Sequence, residues 1–237
     1  MPTERGCEPR TVAFVDADVP GAGAADRETL RCALDRVNRV FLPALAAPFT
    51  LVDGARLGGA LRDPAQTPLC LSVLRESVAP LEVRAGVGIG GAGNGDPGDG
   101  EARSLARRAL RLAVRDKGLT RYLGTGDAGD VLLGALCRLV DPLIQARTGK
   151  QWEAIAAYRE LGRQRAVAER LGVTRQSVGD RLTAGNRRAV EEAEERAKQE
   201  AAEKLRRQRE REERRRREEA LAKARAAEAL SSTAASV

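Results

Sequence analysis

The sequence predicts an α+β protein: a domain with a mainly antiparallel sheet, then an all-α unit, then a long solvated C-terminal helix. Three observations lead there. Strand-like apolar blocks, TVAFVDADV and LEVRAGVGIG, alternate with segments whose apolar residues recur every three or four positions. The pair Asp53-Gly54 stands between two short apolar runs, a pattern that marks a tight antiparallel hairpin. Beyond Arg187 the apolar periodicity gives way to glutamates that precede a basic residue by four, eight times over.

Taken in order, Thr11 to Val19 is expected to form a buried strand that ends in a Gly-rich turn. Asp26 is the expected N-cap of a helix through RETLRCALDRVNRVFLPAL, with Leu30, Leu34, Val37, Phe41 and Leu45 on one face. The hairpin turn is placed at Asp53-Gly54, where positive φ is expected at both positions. Asp63-Pro64 opens a second helix, because proline loses nothing at a first helical position, and that helix ends before Pro80. LEVRAGVGIG is the next strand and GAGNGDPGDG a flexible loop. EARSLARRALRLAVRDKG makes a third helix, and DVLLGALCRLVDPLIQA a connecting helix or helix pair. Gly86, Gly88 and Gly91 fit GxGxxG, but a loop follows them where a dinucleotide site needs a helix. They read instead as a strand crossing close to another backbone.

The expected division is 10–126 for the α+β domain, 127–149 for the connection and 150–188 for the all-α unit. A charged single helix over 189–230 and a disordered tail over 231–237 follow. The charged helix lacks a sustained heptad seam, so it reads as a salt-bridged, solvated rod of about 60 Å rather than a strong coiled coil.

Composition narrows the chemistry. The chain has 237 residues, 42% hydrophobic and 32% charged, with a formal net charge of +7. No apolar run approaches the roughly 20 residues that span a bilayer, and the first ten residues lack a signal-peptide core. A cytoplasmic protein with no membrane partner is the expectation. Cys7, Cys32, Cys70 and Cys137 are singletons, and histidine is absent, which removes His-based nucleophile pairs and zinc sites. Neither a cofactor nor a metal is expected. The charge is uneven: residues 1–149 hold 19 basic and 18 acidic side chains, 150–188 hold 9 and 4, and 189–237 hold 13 and 12. An excess of +5 within about 40 residues is the footprint of a polyanion-binding segment.

That segment reads QWEAIAAYRELGRQRAVAERLGVTRQSVGDRLTAGNRR. Trp152, Ile155 and Tyr158 give a first helix its inward face, and Gly162 ends it. A short second helix from Gln164 to Leu171 turns Val167, Ala168 and Leu171 inward. Gly172 permits a left-handed corner, Val173 fills it, and Thr174 caps a third helix with Val178 and Leu182 inward. Small Ala168 lets the helices cross closely. This is the steric pattern of a helix-turn-helix, whose third helix enters the major groove of double-stranded DNA. Arg175, Gln176 and Arg181 are then the candidate base readers. Thr174 and Ser177 either meet phosphate or cap the helix. Arg163, Gln164, Arg165, Arg187 and Arg188 complete the expected contact set, the arginines as phosphate ligands. Gly179 weakens the helix and Asp180 repels phosphates or selects a cytosine amino group, so tight binding is expected to need a homodimer or a partner.

The order of these motifs resembles the SatD family. The stretches that carry the resemblance are Ala17-Asp18-Val19-Pro20-Gly21, Gly54 to Gly59, Val83 to Gly90, and GKQWEAIAAY ahead of the helix-turn-helix. The resemblance implies a ferredoxin-like, nucleotidyl-cyclase-like N-terminal domain, and a cyclase site would hold metal ions on acids of the first strand and of the hairpin. Asp18 matches the first acid, whereas Ala55 and Arg56 stand where hairpin acids belong. A non-catalytic sensor or dimerisation domain is therefore expected, and the chain is not expected to be an enzyme. Two other readings stay open: a metal-dependent nucleotide-processing site on Asp18, Asp16 and Asp53, or a scaffold that binds another protein through the C-terminal helix.

Overall fold

In the computed structural model, residues 11–93 and 100–234 are described. The sheet runs in the order β2-β3-β1-β4-β5, with β1 at Thr11–Asp18, β2 at Leu45–Asp53, β3 at Arg56–Leu61, β4 at Arg84–Gly91 and β5 at Thr120–Leu123. β1 is central, so both its faces are covered, which explains an apolar run without alternation. Three pairings are antiparallel and β4–β5 is parallel. The mainly antiparallel α+β expectation holds. β5 had no counterpart in the sequence reading, since four residues are too few to show a period.

Helices α1 (Arg27–Val40) and α2 (Thr67–Val78) cover one face, and α3 (Glu101–Arg115) covers the other. Ala13, Val15 and Ala17 of β1 share a cluster with Leu30, Leu34, Leu71 and Leu74. Val12 and Phe14 pack instead with Ala102 and Ala106 of α3. The β4 glycines explain how α3 can lie so flat. A Cβ on Gly86 would stand 2.2 Å from the Ala106 carbonyl oxygen, and one on Gly88 would stand 2.1 Å from that of Ala102. The helix answers with Ala102, Ala106, Ala109 and Ala113, all buried. Close backbone approach, not a dinucleotide, is what this GxG pattern serves.

Two local expectations are corrected, and one open alternative is resolved. The hairpin turn sits one residue later than placed: Asp53 pairs with Arg56 as the last residue of β2, and the positive φ of +54° falls on Gly54. Asp26 precedes α1, but its carboxylate accepts from the Gly23 N–H (2.8 Å), so it closes the short turn before the helix rather than capping α1. The connection is one helix, α4 (Asp127–Gln145), because Pro142 falls too near its end to split it. Asp63-Pro64 opens a short 3-10 turn, Pro64–Gln66, that leads into α2 at Thr67, with the Asp63 carboxylate accepting from the Ala65 N–H at 3.0 Å.

Helices α5 (Gly149–Leu161), α6 (Gln164–Leu171), α7 (Arg175–Ala184) and α8 (Arg187–Ala234) complete the chain. α8 continues four residues past 230, through Ser231, Ser232, Thr233 and Ala234, with neither glycine nor proline to stop it. Cys7, residues 94–99 of the expected loop and residues 235–237 of the expected tail lie outside the described residues.

Candidate nucleic-acid interface

The unit formed by α5, α6 and α7 has its own small core: Ala154, Ile155, Ala157, Val167, Ala168, Val178 and Leu182, with Tyr158, Leu171 and Val173 against it. Gly162 and Gly172 end α5 and α6 in left-handed conformations, at φ +67° and +64°. A Cβ on Gly172 would meet nothing within 4 Å, so the corner needs glycine for its backbone angle and not for room. The Val173 N–H closes the corner on the Ala168 carbonyl (3.1 Å), and the Thr174 hydroxyl accepts from the Ser177 N–H (3.1 Å).

This geometry sorts the candidate residues. Arg175 and Gln176 are exposed on the first turn of α7, and Asp180 and Thr183 continue the same outward side. Arg181 does not join them. It lies three positions beyond Val178, beside the buried seam, and its side chain is 19% exposed with Nη1 3.7 Å from Glu153 of α5. Thr174 and Ser177 are used in the cap. Arg163 is exposed ahead of α6, and half-buried Gln164 lies beside Gly179. Arg165 is 87% exposed but pairs with Glu169 at 3.1 Å. Arg187 stacks over Tyr158 (4.6 Å to the ring) and bonds to Glu191, so it serves the fold. Arg188 remains 88% exposed, paired with Glu192 at 2.9 Å. Gln164, Gly179, Thr183, Asn186, Arg187 and Arg188 line an open groove between α7 and the start of α8. Thr183 was missed in the sequence, although its spacing of seven from Gln176 was the available signal.

The unit is tied to the sheet domain rather than free of it. Arg159 of α5 places Nε 2.8 Å from both carboxylate oxygens of Glu76 on α2, whose side chain is 1% exposed. Arg36 of α1 reaches Glu160 at 2.9 Å, and Arg147 donates to the Gly185 carbonyl at 2.7 Å while stacking on Trp152. α8 returns to the domain: Val190 packs with Leu119 and Ile144, and Ala197 and Ala201 enter the main core. Ser72 donates to Glu194, whose carboxyl burial raises above its usual range. Asp141 of α4 is also raised by burial, although it accepts the Leu119 and Thr120 N–H groups at 2.7 and 3.1 Å.

At the other candidate position, Asp16 is buried and engaged by Arg56 Nη2 at 2.8 Å. Asp18 is in register with Arg56 on one side and Arg84 on the other. Asp53 is exposed at the hairpin end. The structure therefore places a guanidinium group on Asp16, while Arg84, in register with Asp18, pairs with Glu82 at 2.7 Å. Among the described residues no group of three or more His, Cys, Asp or Glu side chains could hold a metal ion. Among them too, no helix is long and apolar enough to cross a membrane.

No protein-family model matches this chain, and no curated protein does either. Among solved structures it is weakly similar to a regulator of polyketide synthase expression from Bifidobacterium adolescentis. The likeness is 17% identical, covers 83% of this chain and 85% of that one, and has a TM-score of 0.27.

Proposed function

We propose that the chain is a double-stranded DNA-binding regulator that reads sequence with α7, while the sheet domain serves as a non-catalytic sensor or dimerisation body. The observation that carries this reading is the left-handed Gly172 corner, which crosses α6 and α7 over a shared seven-residue core and leaves Arg175 and Gln176 uncovered. Arginine and glutamine there offer bidentate contacts to guanine and adenine edges. Asp180 and Thr183 extend the reading face, and Arg163, Arg165 and Arg188 supply phosphate contacts at its margins. The motif order that resembles the SatD family belongs to this proposal. Arg56 argues against a metal-dependent nucleotide site, since it stands where the resemblance calls for a hairpin acid and its guanidinium already neutralises Asp16 beside Asp18.

The test begins with selection of bound sequences from a random duplex pool. Arg175→Ala and Gln176→Ala should each reduce the preference for the selected site over a scrambled one by about 1–3 kcal/mol, roughly a factor of 5 to 150. Unchanged preference in both variants would exclude α7 as the reading helix.

A further inference from the structure

The outward face of α3 carries a row of arginines that the reading above does not use. Residues 101–117 hold six basic side chains and two acidic ones, a local net of +4 that averaging over the first 149 residues conceals. The alanine face of α3 is spent on β4, which leaves Arg107, Arg108, Arg111 and Arg115 on the opposite side. All four are exposed. Arg107 and Arg108 are adjacent and the others follow three, four, seven or eight positions on, so the four cover about 12 Å of helix at 1.5 Å per residue. Arg115 bonds to Asp116 at 2.8 Å. Among the described residues Arg107, Arg108 and Arg111 have no carboxylate within ion-pair distance.

This is an unfavourable choice for a merely solvated helix. Like charges four apart cost roughly 0.2–0.5 kcal/mol per pair, and both Arg107–Arg111 and Arg111–Arg115 are such pairs. The helix dipole favours Arg115 in the last turn but does not reach Arg107 or Arg108. The same spacing recurs at Arg27–Arg31, Arg207–Arg211 and Arg211–Arg215, but there Arg31, Arg207 and Arg215 each have a glutamate within a turn to offset it. On α3 three successive outward arginines, Arg107, Arg108 and Arg111, go without that offset, and a local rule broken without compensation points to a use elsewhere.

We infer that the Arg107, Arg108, Arg111 row is a sequence-independent contact surface for the phosphate backbone of duplex nucleic acid, separate from the α7 interface. The chemistry selects among polyanions. A membrane surface calls for an apolar stripe to insert, and the apolar stripe of α3 is buried in the sheet. An acidic peptide calls for an apolar anchoring pocket, and this face is a convex row of guanidinium groups. A duplex presents a linear array of phosphates, one charge per roughly 1.7 Å of axis, which a linear array of guanidinium groups matches without apolar contact. Because α3 and the α2–α5 junction lie on opposite faces of the sheet, one molecule can hold two duplex segments, or two stretches of a bent one.

The test uses the full chain and the variant R107Q/R108Q/R111Q, which changes only exposed side chains. Binding to a scrambled duplex of about 30 base pairs is followed between about 50 and 200 mM salt. Loss of three phosphate contacts should weaken binding at low salt at least about tenfold and flatten the slope of log K against log salt by about 2.7. Arg175→Ala should leave most of that slope in place while reducing site preference, so failure of the α7 reading and failure of this one give different patterns. An unchanged slope in the triple variant overturns the inference. Tighter arginine-dependent binding to a polyglutamate peptide or to anionic lipid vesicles than to the duplex also overturns it.

Discussion

Two glycines in the α5–α7 unit look alike in the sequence and differ in what they do. Gly172 holds φ +64° with open space where a Cβ would be, so its requirement is purely conformational. Gly172→Ala should cost about 1–2 kcal/mol, the penalty for an L-residue in the left-handed region, and Gly172→Asn less. Gly179 sits inside α7 without positive φ, and an added Cβ would meet Gln164 only at 3.9 Å, an ordinary contact. Gly179→Ala should therefore stabilise the protein by up to about 1 kcal/mol. Urea unfolding of both variants checks the pair. A loss on Gly179→Ala, or no loss on Gly172→Ala, would contradict the local geometry. If Gly179→Ala gains stability yet loses DNA affinity, the glycine serves close approach of the α7 backbone to a groove.

Among elements, α8 matters most for how the parts are joined. Its first turns are not the solvated rod that the glutamate–arginine pattern predicts, because Val190, Ala197 and Ala201 are buried and Glu194 is drawn in with them. Burial raises the Glu194 carboxyl above its unfolded value, so the folded state holds that proton more tightly than the unfolded one. Its contribution to stability is then complete below the ordinary glutamate range and is lost as pH rises through the raised value. Glu194→Gln removes the ionisation while keeping an acceptor for Ser72. The variant should gain thermal midpoint relative to the parent as pH is raised from about 5 to 8, since the parent alone must ionise a buried group. A difference that stays flat or reverses over that range would show that Glu194 is not held in this way.

In the whole molecule, the α5–α7 unit is joined to the sheet domain by the Arg159–Glu76 pair, with Arg36–Glu160 and the first turns of α8 beside it. Glu76 is almost fully buried, so removing its partner leaves an uncompensated charge. Arg159→Leu should lower global stability by about 3 kcal/mol or more, measured by denaturant unfolding. A loss below about 1 kcal/mol would mean that the pair behaves as a surface ion pair and adds little to joining the two parts. The pair links α5 directly to α2, the helix that covers one face of the sheet. The arginine row of α3 lies on the opposite face of the sheet from that junction, so substitutions there leave the Arg159–Glu76 contact untouched.

The sequence by itself determined what depends on neighbours a few positions apart. It indicated the three helices around Ala168, Gly172 and Val178, the capping role of Thr174 and the predominantly antiparallel sheet, since sterics and periodicity act within one or two turns. The tertiary structure alone decided which arginines are available. Arg175 and Arg181 are equivalent on paper, but one projects from α7 and the other lies against Glu153, a distinction set by where α5 crosses. Likewise the composition of α3 says only that it is basic; β4, by taking the alanine face, turns the arginines outward. Side-chain availability follows from what packs across an element, and packing partners far apart in the chain leave no periodic trace in it.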